Sequence, residues 1–207
     1  MFITFEGIEG CGKSTQLKLA SQALEKQNFR ICCTREPGGT AIGTQIRKIL
    51  LSESSSGLAP LSEALLYMAD RFQHIQDVIR PAINEGQIVL CDRYHDSTIA
   101  YQGYARKIPL ALLDSIWKTS ALEPDLTILL DLDPEQGLER SLRKLAAQQM
   151  DESRFEKEAL QFHRDVRNGF LSLANQNPNR IRIIDASGSV EEVHHRVLRI
   201  LEERLKS

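Results

Sequence analysis

Residues 7–14 read GIEGCGKS, and the spacing G-x-x-x-x-G-K-S is that of a loop whose backbone N–H groups close around phosphate oxygens. Gly7, Gly10 and Gly12 permit the turns that such a cradle needs. Lys13 is spaced to reach the outer phosphates of ATP, and the Ser14 hydroxyl to ligate Mg²⁺. Ile8, Glu9, Cys11 and Thr15 complete the stretch around the nucleotide. Asp92 ends the apolar run QIVLCD, and an acid at such a strand tip typically orients the Mg²⁺ shell. Apart from Lys13 the loop carries only an acid, Glu9, so the further positive charge that phosphoryl transfer demands must come from elsewhere in the chain.

A phosphate cradle of this kind needs a strand before it and a helix after it, and the flanking pattern supplies both. FITF (2–5) reads as the strand and Lys13 to about Gln27 as the helix. RICCT (30–34), IVLC (88–91), LTILLDLD (126–133) and IRIID (181–185) read as four more strands. Helical spacing runs through 41–51, through 61–79 with Pro81 marking its end, through 109–122, and from Val190 to Leu205. The segment from Pro134 to about Ala174 is charged and helical, interrupted around 145–153. This alternation predicts an α/β fold, a five-stranded parallel sheet flanked by helices with both faces covered. No repeat or low-complexity linker divides the chain, so one domain over 1–207 is expected, with a short mobile lid at about 140–154.

The formal net charge of −2 argues against a nucleic-acid coat, which is usually clearly basic. Any anion must therefore be held by a local cluster. Cys11, Cys32, Cys33 and Cys91 form no C-x-x-C pair and read as buried free thiols in a reducing cytoplasm. The opening MFITFEGIEG lacks the regions of a secretory signal, and no apolar run approaches a membrane span. The guanine-reading N-K-x-D segment of GTPases is absent, and large motor ATPases need far more chain. A small kinase with a second substrate across from ATP remains, beside a nucleotide-dependent switch or assembly factor.

FEGIEGCGKSTQ, TREPGGT, LLYMADRFQHI, DRYHDSTIAYQGYA and LLDLDPE together resemble bacterial thymidylate kinase, and the resemblance extends to DASGSVEEV near the end of the chain. It implies the P-loop kinase fold and transfer of the γ-phosphoryl group of ATP to dTMP, with Mg²⁺, in dTTP biosynthesis. It also implies a homodimer formed through helices.

The same resemblance assigns the acceptor site. Tyr67 and Arg71 lie four residues apart on one predicted helix and share a face. Tyr67, at a position usually held by Phe, would stack on the base, although by pattern alone it reads as core packing. Arg71 would donate to thymine O4. Gln102 and Thr98 would read N3–H, and Tyr101 would close on C2′ and disfavour a ribose hydroxyl. Glu36, in TREPGG, joins this dTMP site, and the family can carry a cis bond before Pro37. Glu9 would approach the acceptor 3′-hydroxyl and the metal region, while Arg47 and Arg93 hold the acceptor phosphate. One branch of the family carries an arginine where this chain has Gly10; the bacterial branch brings basic residues from a flap. Here LERSLRK offers Arg140, Arg143 and Lys144, with Arg140 expected on ATP and Arg143 on the moving phosphoryl group. Ser153-Arg154 replaces the usual Asp-Arg pair after the flap. No strong base is needed, because the acceptor phosphate is already nucleophilic.

Overall fold

Residues 1–119, 122–148 and 153–206 are described by the structure, a computed structural model. Strands β1 (Phe2–Glu6), β2 (Ile31–Arg35), β3 (Ile88–Asp92), β4 (Leu126–Asp131) and β5 (Ile181–Asp185) form one sheet in the order β2-β3-β1-β4-β5, every pair parallel. The five predicted strands are all present, each within two residues of its expected ends.

Alternation along β1 explains how two layers of helices are held. Ile3 and Phe5 join a core with Leu17, Ala20 and Leu24 of α1 (Lys13–Glu25) and with Val193, Val197 and Leu201 near the chain end. Phe2 belongs to a second core with Val89, Cys91, Ile75, Ile79 and Trp117. β1 is buried throughout, whereas the edge strand β2 is only partly covered. The four cysteines are free, as expected, but not all buried: Cys11 and Cys91 are, Cys32 is half-buried, and Cys33 is exposed on that edge strand.

Helix α2 (Ala41–Leu51) starts at Thr40, whose side chain accepts from Gly43 N. Helix α3 (Pro60–His74) does not end at Pro81. It passes through a π-helical turn at Ile75–Ile79 into α4 (Arg80–Asn84), with Pro81 in the first turn of α4, where its missing N–H costs little. After α5 (His95–Thr98) a second π-helical turn spans Ile99–Ala105. Gly103 lies inside that turn rather than capping a helix, and a Cβ there would meet Leu110 at 2.5 Å. Helix α6 is shorter than predicted (Leu110–Trp117). Helices α7 (Pro134–Gln148), α8 (Leu160–Gln176) and α9 (Val190–Leu205) complete the chain, α9 beginning with a capping box between Ser189 and Glu192. Helix α7 runs on through part of the predicted interruption at 145–153, of which 149–152 lie outside the described residues. Among the described residues, no helix is long and apolar enough to cross a membrane.

In a parallel sheet the carboxyl ends of the strands share one rim, and ligands gather where strand order reverses. Here the reversal is at β1, and the rim carries the glycine loop after β1, Glu36–Gly39 after β2, and Arg93 after β3.

Candidate active site

Gly7, Gly10 and Gly12 adopt φ values of 137°, 68° and 96°, so the loop between β1 and α1 requires glycine at all three. Lys13 Nζ donates to the carbonyl oxygens of Ile8 (2.7 Å) and Gly7 (3.1 Å). Ile8 and Cys11 bury their side chains, so their contribution to a phosphate cradle is backbone; Thr15 is exposed on α1. Helix α1 has no side-chain cap and no acid in its first turn. Its unpaired N–H groups and the positive end of its dipole are therefore available to an anion. The Ser14 hydroxyl donates to Asp92 Oδ2, which brings the two expected metal ligands into contact.

A cleft of about 740 Å³ opens beside this loop, within the usual size range of small-molecule sites. Glu9, Lys13, Ser14, Asp92 and Arg93 line it at the glycine loop and the end of β3. Arg93 has the left-handed φ of 68°, which costs a non-glycine residue on the order of 1–3 kcal/mol. That conformation turns its guanidinium back onto the loop. Nη1 donates to Gly7 O (2.9 Å) and Ser97 Oγ (3.2 Å), and Nη2 donates to Glu9 Oε1 (3.1 Å). Glu9 also accepts from the Tyr101 hydroxyl, and its Oε2 lies 3.3 Å from His163 Nδ1. Burial would raise the Glu9 pKa, but His163, Arg93 and Lys13 outweigh it and bring the carboxyl down to about 2. Burial pushes the Tyr101 hydroxyl well up, so it remains a donor.

Glu36, Arg47, Tyr67, Thr98, Tyr101 and Gln102 line the rest of the cleft. The sequence-predicted acceptor residues are therefore together, with one exception. Arg71 stands behind this wall, 1% exposed. Its Nε donates to Glu36 Oε2 (2.8 Å), Nη1 to Thr98 Oγ1 (2.9 Å) and Nη2 to Tyr94 O (3.0 Å). His74 Nδ1 is 2.9 Å from the other Glu36 oxygen, and the Glu36-Pro37 bond is cis. Arg47 Nη1 donates to Pro37 O at 3.1 Å. Tyr67 is half-buried against the core and also faces the cleft, so packing and site are both served; burial and the nearby Glu63 push its hydroxyl up.

The three flap cations separate. Lys144 lines the cleft together with Ser141 and Leu145, and among the described residues it has no ion pair. Arg143 is exposed and pairs with Glu139 one turn back on α7, and neither it nor Arg140 lines the cleft. Arg154 is buried although Ser153 replaces the usual acid. Its guanidinium donates to Leu50 O (2.9 Å) and to Glu63. His95 stacks on Trp117 at 4.1 Å and does not line the cleft.

Sequence reasoning passed over Arg35, Glu63, His163 and Glu6. Arg35 lines the cleft from the end of β2. Glu6 accepts from Tyr94 N (2.8 Å) and Ser97 Oγ (2.6 Å) and so ties the Arg93 segment to β1. The signal for Glu63 was its spacing, four residues before Tyr67 and eight before Arg71 on the same helix face.

The thymidylate kinase family model matches residues 5–197. The chain belongs to the thymidylate kinase family. Its reaction class is the phosphorylation of dTMP to dTDP with ATP. The thymidylate kinase of Pelobacter propionicus is 47% identical over 210 residues, covering 100% of this chain and 96% of that protein. That of Solidesulfovibrio magneticus is 49% identical over 197 residues, covering 93% and 94%. A crystal structure of thymidylate kinase from Ehrlichia chaffeensis superposes with a TM-score of 0.78 at 35% identity, covering 98% of both chains. The P-loop kinase fold expected from the sequence is thereby matched in structure as well.

Proposed function

We propose that the family reaction takes place in this cleft with the following division of labour. Lys13 and the N-terminus of α1 hold the outer phosphates of ATP. Tyr67, Thr98 and Gln102 hold the base of dTMP, with Arg71 and Glu36 orienting that wall. Arg93 and Arg47 hold the acceptor phosphate, one of whose oxygens attacks the γ-phosphorus in line as ADP leaves. Glu9, ionised and held by Arg93 and Tyr101, faces the acceptor sugar, where the Tyr101 ring disfavours a ribose hydroxyl. The observation that carries this reading is the continuity of one cleft from Lys13, Ser14 and Asp92 to Tyr67, Thr98 and Gln102.

Ser14 and Asp92 are hard oxygen donors in mutual contact, which suits Mg²⁺, an ion bound through one or two protein groups plus phosphates. Among the described residues, no group of three His, Cys, Asp or Glu is placed to hold a metal by itself. When bound, Mg²⁺ would neutralise charge on the transferring phosphates. The rest of that charge falls to Arg93 and to Lys144, the flap cation that lines the cleft. We assign residues 140–154 as the lid of a single cytoplasmic domain. Exposed Leu61 and Leu65 on α3 and Leu110 and Leu112 on α6 support a homodimer through these helices.

The test is ADP release with each nucleoside monophosphate in turn. dTMP should support the fastest turnover, and Lys13→Ala should abolish it with the fold retained. ADP release independent of dTMP would point to the switch or assembly factor instead.

A further inference from the structure

Glu63 is fully buried on α3, and three side chains from elsewhere in the chain converge on its carboxylate. Gln102 Nε2 donates to Oε1 at 2.8 Å. Arg106 Nε donates to Oε1 at 3.3 Å and Nη2 to Oε2 at 3.5 Å. Arg154 Nη2, also buried, donates to Oε2. A carboxylate paired with two guanidinium groups only accepts, so Gln102 must turn its NH₂ toward Glu63. The other end of that amide, Oε1, accepts no hydrogen bond among the described residues, and Gln102 lines the cleft.

We propose that Glu63 is a positioning residue that sets the reading sense of Gln102, donor inward and acceptor toward the base. The proposal rests on the reading that Gln102 contacts the acceptor base. A pyrimidine with N3–H, thymine or uracil, donates to this unpaired oxygen of the otherwise buried Gln102. Cytosine presents a lone pair at N3, so two acceptors would face each other unpaired. A Gln102 free to turn over about its last bond would offer a donor to cytosine, and selection would fade. Glu63 prevents the turn, because it would press Oε1 against a carboxylate. The backbone adds a second constraint: Ile108 N donates to Gln102 O at 3.0 Å, and Arg106, four residues on, returns to the same carboxylate. Glu63 thus closes the Gln102–Arg106 turn on α3 from two positions. Arg154 brings the returning end of the lid to the same anchor.

The experiment compares kcat/KM for dTMP, dUMP and dCMP at saturating ATP in the full chain. Gln102→Leu should lower the dTMP-to-dCMP ratio about fivefold to a hundredfold. Glu63→Gln, whose amide can pair with either end of Gln102, should lower it by a similar factor and leave the dTMP-to-dUMP ratio unchanged. Glu63→Gln leaves Arg154 without its counter-charge, so the double variant Glu63→Gln/Arg154→Met is measured against Arg154→Met alone, which should keep the wild-type ratio. A collapsed ratio in Gln102→Leu with an intact ratio in both Glu63→Gln backgrounds would overturn the role of Glu63 and leave the base reader standing. An intact ratio in Gln102→Leu would overturn the base reader, and this proposal with it. Equal losses for all three acceptors would make Glu63 a structural residue only, which also overturns it.

Discussion

Gly10 of the phosphate loop and Gly137 in the first turn of α7 meet backbone to backbone. A Cβ on Gly10 would lie 2.0 Å from the Gly137 carbonyl oxygen, and one on Gly137 would lie 2.5 Å from the Glu9 carbonyl oxygen. The first turn of α7 is therefore seated on the glycine loop. An arginine at position 10, as one branch of the family carries, has no room here, and the φ of 68° disfavours it further. Gly10→Arg should lower turnover by about tenfold or more, since overpacking typically costs 1–3 kcal/mol and displaces the loop. It should not rescue Arg143→Ala. Turnover at saturating ATP, with circular dichroism to confirm folding, checks both statements.

Lys144 and Arg143 are neighbours in sequence but face different surroundings. Lys144→Ala should reduce kcat by about tenfold to a hundredfold, the worth of a charged hydrogen bond to the moving group. Arg143→Ala removes only an exposed pair on one helix, worth about 0.3–0.5 kcal/mol, and should change kcat by no more than about twofold. Side-by-side steady-state kinetics decide the ranking, and the reverse order would return the role to Arg143.

Arg71 joins Glu36, Thr98 and the Tyr94 carbonyl in a buried network. Arg71→Ala should therefore do two things. Acceptor efficiency falls while the KM for ATP is nearly unchanged, and the protein loses about 3–5 kcal/mol because Glu36 is left buried without its arginine. Urea unfolding reads the second effect. Unaltered stability would mean that the Glu36–Arg71 pair contributes nothing net.

The lowered pKa of Glu9 links stability to pH. His163, Arg93 and Lys13 hold the folded carboxyl down at about 2, below its ordinary 4.5, so the folded state favours the ionised form. The contribution, about 3 kcal/mol, is fully present above pH 4.5 and disappears as pH falls through 2. The stability gap between wild type and Glu9→Gln should be constant at neutral pH and narrow progressively below 4.5. Urea midpoints measured across that range test it; a gap independent of pH would contradict the Glu9–Arg93 and Glu9–His163 contacts as the source.

What was readable in advance was local. The G-x-x-x-x-G-K-S spacing is itself the cradle, and alternation or helical spacing within each segment places the strands and the longer helices. Pro81 misled because a proline normally stops a helix; the π-helical turn before it opens the backbone ladder and lets the helix resume. His163 was not legible as a site residue, because its partner Glu9 lies 154 positions away; the helix spacing of Glu63 and the flap position of Arg154 were visible, but their contact with each other, 91 positions apart, was not.

By itself, the amino-acid order determined the glycine loop, the parallel α/β alternation and the motifs that mark the family, all properties of short stretches. Only the tertiary structure decided which flap cation faces the cleft, since adjacent residues on a helix point about 100° apart and the packing of α7 chooses between them. It also decided that Arg71 stands behind the pocket wall rather than in it, and that the Gln102 amide turns its donor to Glu63. A side chain's type states what it can bond; the groups packed around it leave one of those bonds open.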